Sequence, residues 1–214
     1  MHRLGFDCMK NFSERVKIIF YKGGKFLVYP GVYEPADDTF LIADNLDVKS
    51  GERVLELGTG CGLLAILAAK AGAKVVATDI SQTALECARA NAIENLVSDK
   101  IDFRCGDLFD PVDGELFDAI IFNPPYLPVE PEERFNEPLE MAWNGGSNGR
   151  EVIDRFLNEL PLRLRVRGRA LFVHSSLSNP SQTVRFLETN HFKFKTVRIK
   201  MFFEELFLFQ CFRC

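Results

Sequence analysis

Residues 53–79 read RVLELGTGCGLLAILAAKAGAKVVATD, and this stretch decides the fold. RVLELG is a short apolar run that ends in glycines, the pattern of a buried strand meeting a tight turn. LLAILAAKAG is a buried helix closed by Gly72. KVVATD is a second strand. Strands alternating with helices imply a parallel sheet covered on both faces.

The same order continues downstream. Ser81 caps the helix SQTALECARANAIENL, residues 81–96. KIDFRCGD is a third strand and FDAIIFN a fourth. A long loop runs from Pro124 to about Asn148. The helix EVIDRFLNELPLRL follows, and Pro161 marks a kink or break in it. RALFVHSS is a fifth strand and SQTVRFLETNHF a helix. KFKTVRIKMFFEELFLFQCFRC makes two closing strands around Glu204-Glu205. Upstream, VKIIFYKGGKFLVY at 16–29 is a β-hairpin around Gly23-Gly24, and a helix starts at about Asp37. The expectation is an α/β chain: a seven-stranded, mostly parallel sheet with helices on both faces and an antiparallel C-terminal hairpin. A short N-terminal hairpin extension (1–30) precedes a core (31–214), together one domain.

The chain has 214 residues, 47% hydrophobic and 26% charged, enough for one substantial core. A net charge of −4 argues against a broad phosphate-binding surface. Twenty phenylalanines exceed what is usual, so a surplus on one face would mark a partner site. No apolar run has membrane-spanning length and the N-terminus has no signal core, which points to the cytoplasm. Cysteines 8, 61, 87, 105, 211 and 214 are expected as free thiols there. Cys211 and Cys214 form a C-x-x-C, but positions three apart on a strand face opposite sides, which disfavours a metal. His2, His174 and His191 have no companions for a metal cluster.

In a parallel sheet, ligands bind beyond the carboxyl ends of the strands. The first strand ends in Glu56-Leu57-Gly58-Thr59-Gly60-Cys61-Gly62. The spacing G-x-G-x-G departs from the dinucleotide pattern, because Leu63 stands where its third glycine belongs. Glu56 repels a pyrophosphate but suits a cationic ligand. Asp79 ends the second strand, where an acid bonds the two hydroxyls of an adenosine ribose. Gly106-Asp107-Leu108 follows the third strand, and one of these acids can hold an adenine amino group. Each feature alone is an ordinary turn glycine or capping acid. At three successive strand ends they favour an adenosine with a cationic centre and no phosphate, which is S-adenosylmethionine.

FDAIIFNPPYLP at 117–128 ends the fourth strand abruptly. N-P-P alone is a plain turn signal. Beside a methyl donor it gains a use. The Asn123 oxygen and the Pro124 carbonyl can accept both hydrogens of a planar amino group, and Tyr126 can stack on it. Two acceptors favour the positive charge that develops on a weakly nucleophilic nitrogen. No side-chain base, nucleophile or metal is needed.

Taken together, E-x-G-x-G-x-G, Asp79, Gly106-Asp107 and N-P-P-Y resemble the class I S-adenosylmethionine-dependent methyltransferases with a Rossmann-like sheet. GVYEPADDTFLIADNL and AWNGGSNGREVIDRFL narrow the resemblance to the HemK-type protein glutamine methyltransferases, in their archaeal and eukaryotic branch. It runs from about Gly31 to near the C-terminus. It implies methylation of the glutamine in the Gly-Gly-Gln motif of a class 1 translation termination factor. It implies a cofactor cover at Glu34, Pro35 and Thr39. Cofactor contacts fall at Glu56, Gly58, Gly60, Asp79, Ile80, Asp107, Leu108 and Asn123. The catalytic and substrate clamp is Asn123, Pro124, Pro125 and Tyr126. It further implies a small, zinc-binding activator subunit near the third strand. The runner-up is a nucleic-acid adenine or guanine amino methyltransferase, which shares N-P-P-Y but needs a gripping surface. A non-enzymatic subunit keeping the fold is a third reading, opposed by the intact Asn123 and Tyr126.

Lesser expectations concern the rest. Trp143 packs the substrate loop or is a plain buried anchor. Asn148 caps the next helix. The acidic residues Glu130, Glu132, Glu133, Glu137 and Glu140 decorate a solvated loop or meet a basic peptide. Arg163, Arg165, Arg167 and Arg169 decorate a helix end.

Overall fold

Apolar runs and helices alternate along the chain, and the computed structural model assembles the strands into a seven-stranded sheet and a separate two-stranded hairpin. It describes residues 15–130, 132 and 138–213. Cys8, Cys214, His2, Glu133 and Glu137 lie outside the described residues. The strands are β1 (Lys17–Tyr21), β2 (Gly24–Val28), β3 (Arg53–Leu57), β4 (Lys74–Asp79), β5 (Ile101–Cys105), β6 (Phe117–Phe122), β7 (Leu164–Ser175), β8 (Phe192–Lys200) and β9 (Glu205–Arg213). The helices are α1 (Asp37–Asp44), α2 (Leu63–Lys70), α3 (Gln82–Glu94), α4 (Glu151–Arg163) and α5 (Pro180–Thr189).

The seven-stranded sheet has the order β5-β4-β3-β6-β7-β9-β8. Its first five strands run parallel, and β9 pairs antiparallel with both β7 and β8. The order therefore reverses between β3 and β6. At such a switch point the carboxyl ends of the strands diverge and leave a crevice. Glu56 and Asn123 belong to the two strand ends that flank it.

The central strands are buried on both faces, whereas β5 and β8 at the edges alternate between buried and exposed residues. That contrast is what a sheet covered by helices on both sides requires. Most of the phenylalanine surplus is core. Phe156 of α4 stacks on Phe109 at 5.9 Å, and packs against Phe122 and Phe172 at 5.1 and 5.2 Å between ring centroids.

The N-terminal hairpin forms as expected, with a shifted turn. Tyr21 pairs with Gly24, so the loop residues are Lys22 and Gly23, at φ 44° and 72°. Both left-handed positions suit the tight turn that matches strand twist. Phe26 and Val28 are buried in the same core as the sheet. Asn91 of α3 secures the hairpin, accepting from the Leu27 amide and donating to its carbonyl, both at 2.7 Å.

Three expectations need correction. α4 runs through Pro161 to Arg163 without a break. The proline sits in the last turn, where losing one amide donor removes a single late hydrogen bond and the helix ends anyway. β7 begins at Leu164, so Arg165, Arg167 and Arg169 lie on a strand and not on a helix end. Arg165 pairs with Asp118 at 3.0 Å and Arg169 with Glu52 at 2.7 Å, which accounts for their charge within the fold. Asn148 does not cap α4. Its side chain accepts from the Arg150 amide at 2.9 Å in the turn ahead of the helix, and α4 has no side-chain cap.

Candidate active site

The loop after β3 folds back over the end of β4. The Thr59 amide donates to the Thr78 carbonyl at 2.9 Å, and the Gly60 amide to an Asp79 carboxylate oxygen at 2.9 Å. The Ser81 amide donates to the other Asp79 oxygen at 2.8 Å, while Ser81 caps α3. Gly58 and Gly60 both have positive φ. At Gly60 a Cβ would meet nothing within 4 Å, so the backbone faces open space in which a ligand can lie. At Gly62, φ 83°, a Cβ would lie 2.9 Å from the Ala88 Cβ, so that glycine serves the packing of α2 on α3.

Glu56 is buried beneath this loop. Its carboxylate accepts from the Thr59 hydroxyl and from the Ala65 amide at 3.1 Å, an otherwise orphaned donor in the first turn of α2. Burial pushes its pKa up to about 8, opposed by those two hydrogen bonds and helped slightly by the Asp79 charge. Burial also raises Asp79 above the ordinary carboxylate range, against the pull of its backbone donors. Two acids held this way gain from a cation or from hydroxyl donors.

The third strand end reaches the same place. The Gly106 amide donates to the Asp79 carbonyl at 3.0 Å. Ile80 is 51% exposed beside it and offers an apolar face; Leu108 is buried. Asp107 pairs with Arg155 of α4 at 2.6 Å, so its carboxylate is already engaged in this conformation. Glu34 is not brought into the crevice by any bond; it pairs with Lys17 of β1 at 2.5 Å, on the surface. Pro35 is buried next to it.

The clamp follows β6. The Asn123 amide nitrogen donates to the Thr39 hydroxyl at 3.2 Å. Thr39 in turn donates to Asp38 at 3.2 Å, which leaves its oxygen free to accept. This chain fixes which way the Asn123 carboxamide points. Its oxygen is buried and has no partner among the described residues. A buried acceptor left open costs free energy unless something donates to it. Asp38 also accepts from the Tyr33 hydroxyl at 3.0 Å and the Tyr126 hydroxyl at 3.1 Å. Burial, with the nearby Asp38 charge, keeps both phenols firmly protonated.

Tyr33, Asp38, Tyr126, Leu127, Ala142 and Trp143 line a cavity of about 420 Å3. Trp143, half-buried, thus lines the same cavity as Tyr126 of the N-P-P-Y turn. The clamp loop is braced against the AWNGGSNGR segment. Leu127 and Gly145 exchange bonds with Trp143 and Leu127 carbonyls at 3.0 and 2.9 Å, and the Val129 amide donates to Gly146 at 3.0 Å. Arg150, fully buried, holds the segment's end through Ser178, Asn179, Thr183 and Asp154.

Asp38, Tyr33 and Arg150 were not singled out from sequence. The only signal was their place within the two family-like stretches. Among the described residues no cluster could hold a metal ion. The Cys211 thiol is buried in β9 and pushed up to about 12.

A crevice at the switch point, acids at two strand ends and an orphaned carboxamide define a group-transfer site on a Rossmann-like sheet. The model of the methyltransferase small domain matches residues 24–134, and the chain belongs to that family. Within it, the chain groups with the HemK-type protein N5-glutamine methyltransferases. A Methanocaldococcus jannaschii protein assigned as a protein N5-glutamine methyltransferase is 43% identical over 199 residues, covering 92% of this chain and 99% of the relative. The Homo sapiens methyltransferase HEMK2 is 37% identical, covering 75% and 79%. Among solved structures, the E. cuniculi Mtq2–Trm112 complex, responsible for methylation of the eRF1 termination factor, aligns with a TM-score of 0.66 and 26% identity. That alignment covers 86% of this chain and 99% of the other. A Thermus thermophilus 16S rRNA methyltransferase aligns with a TM-score of 0.69 at 20% identity, over 94% of this chain and 50% of the other; this is a likeness of fold.

Proposed function

We propose that the chain transfers a methyl group from S-adenosylmethionine to the side-chain amide nitrogen of the glutamine in the Gly-Gly-Gln motif of a class 1 translation termination factor. The orphaned Asn123 oxygen carries this reading. It is a buried acceptor with no partner among the described residues, three positions before Tyr126, which lines a cavity of about 420 Å3. The residues fit the cofactor. Asp79 would hold the ribose hydroxyls, Ile80 the adenine face, and the Gly58–Gly60 backbone the methionine portion, with Glu56 as the nearby anion. When bound, the cofactor supplies an electrophilic methyl on a sulfonium.

The chain's own residues do the rest. Asn123 and the Pro124 carbonyl take the two amide hydrogens and turn the nitrogen lone pair toward the methyl. Pro125 stiffens the turn, and Tyr126, tethered by Asp38, covers the amide plane. As the methyl carbon–nitrogen bond formed and the methyl–sulfur bond broke, leaving a neutral thioether, the amide hydrogens would become more acidic; both acceptors would bind them more strongly than in the ground state, and one hydrogen would pass to solvent as a proton to give the neutral N-methyl amide. No residue has to act as a covalent nucleophile.

The nucleic-acid alternative is not favoured. The Methanocaldococcus jannaschii relative is named for glutamine, the Mtq2–Trm112 complex for a termination factor, and the net charge is −4. Labelled S-adenosylmethionine offered with a cognate release factor and, separately, with RNA decides between them: label on the factor supports this reading, label on RNA alone overturns it. Such a factor is met in the cytoplasm, and no described helix is long and apolar enough to cross a membrane. By likeness to the Mtq2–Trm112 complex, we assign a small activator subunit, zinc-binding in the resemblance above, to the free edge at β5. A monodisperse, fully active isolated chain would remove the need for it.

Cofactor affinity should rise with pH. Below about 8 the folded protein keeps a proton on Glu56, which a cationic ligand must expel to gain the charge. In the folding balance the sign is the usual one for a raised carboxyl: the contribution is full below the ordinary carboxylate range and is lost as pH rises through about 8. Calorimetric Kd values for S-adenosylmethionine should fall several-fold between roughly pH 6 and pH 8 as the proton is released. A flat profile would show that Glu56 does not sense the ligand.

A further inference from the structure

The turn between β8 and β9 spans Met201–Glu204 and is closed by the Met201 amide on the Glu204 carbonyl at 2.8 Å. It carries Phe202 and Phe203, 91% and 86% exposed, the most exposed phenylalanines among the described residues. Their rings rest edge to face on one another, centroids 4.6 Å apart. Neither ring contributes to the core, and an exposed aromatic pair of this kind marks a contact surface.

Its position ties it to the clamp. The Glu205 amide donates to the Ser176 hydroxyl at 3.0 Å, and Leu206 pairs with Ser175 at the carboxyl end of β7. Ser178, in the same short turn as Ser176, borders Gly149. A Cβ on Gly149 would lie 2.9 Å from the Ser178 Cβ and 2.4 Å from the Tyr126 carbonyl oxygen. One oxygen of Glu204 is buried with no partner among the described residues. Its charge acts on the hydroxyls of Tyr33 and Tyr126, the tyrosines that line the cavity. Asp37 and Asp38 act on Tyr33 in the same sense. A cavity of about 420 Å3 admits a side chain and no domain, so whatever presents that side chain must also rest on surface outside it.

We propose that the Met201–Glu204 turn is the docking surface for the polypeptide that presents the target glutamine, with Phe202 and Phe203 taking an apolar residue and Glu204 a basic one beside it. The proposal rests on the protein-glutamine reading above. Charge complementarity selects this occupant: Glu204 and the exposed Asp37 attract a basic peptide and repel nucleic-acid phosphates. Exposed aromatics buried in the centre of a protein contact are the residues that most often dominate its affinity.

The test is the double variant Phe202→Ala/Phe203→Ala, with Glu204→Gln alongside. Steady-state kinetics are run on the intact release factor and on a short Gly-Gly-Gln peptide too small to reach the turn. The double variant should raise KM for the factor about tenfold or more, with kcat, peptide turnover and melting temperature unchanged. Glu204→Gln should raise KM for the factor and flatten its salt dependence. A wild-type KM for the factor in the double variant overturns the docking surface, as do equal losses on factor and peptide, which would indicate a damaged cavity. If wild-type enzyme modifies neither substrate, the glutamine reading itself fails and the docking surface falls with it.

Discussion

Replacing Asn123 with alanine slows methyl transfer about 100-fold or more, while S-adenosylmethionine still binds nearly as tightly as to the wild type. The expectation follows from where the carboxamide stands. Its nitrogen is spent on Thr39, and its oxygen is a buried side-chain acceptor with no partner among the described residues. Alanine removes an interaction that strengthens only as the nitrogen becomes cationic, so the loss falls on the chemical step. Single-turnover rates with saturating cofactor measure it, and calorimetry checks the cofactor. Asn123→Asp sharpens the test. A carboxylate keeps the acceptor, loses the bond to the Thr39 oxygen and retains part of the rate. A fast Asn123→Ala enzyme would mean that the amide is oriented by something else.

Asp79→Ala should weaken S-adenosylmethionine binding about 10- to 100-fold, the scale of one charged hydrogen bond of roughly 1.5–3 kcal/mol. The carboxylate accepts from Gly60 and Ser81 and still has lone pairs directed outward for hydroxyls. Alanine also frees the Gly60 amide and loosens the loop, so Asp79→Asn is the companion. It keeps the size and one acceptor, and should lose less. A melting curve separates loop damage from lost ribose contact. Unchanged calorimetric affinity in Asp79→Ala would remove the residue from the cofactor site.

Local pattern made the sheet legible. Glycines at 58, 60, 62 and 72 punctuate apolar runs, and each run is too short to be anything but a buried strand or helix. The strand ends carry the acid and the carboxamide proposed for the site, so Asp79 and Asn123 could be singled out from their place in the chain. What escaped depends on residues far apart in sequence. Asp38 joins Thr39 to Tyr126, 88 positions away, and nothing local distinguishes it from Asp37. Asp107 invited a ligand role, yet it meets Arg155 from a helix 48 positions on. The arginine-rich stretch 163–169 read as a helix end because its partners, Asp118 and Glu52, lie on other elements. Pro161 misled for a positional reason: a breaker rule written for helix interiors loses force in the last turn. Glu204 and its two phenylalanines gained meaning only when antiparallel pairing of β9 with β7 carried them to the carboxyl end of the sheet.

The central claim is the identity of the methylated atom. Wild-type enzyme, S-adenosylmethionine and a cognate class 1 release factor should be incubated together, and the factor digested and sequenced by tandem mass spectrometry. One methyl group on the side-chain amide nitrogen of the Gly-Gly-Gln glutamine, absent when Asn123→Ala enzyme is used for the same time, is the result predicted. A methyl group on any other residue, or an unmodified factor under conditions in which RNA or DNA is methylated, would contradict it.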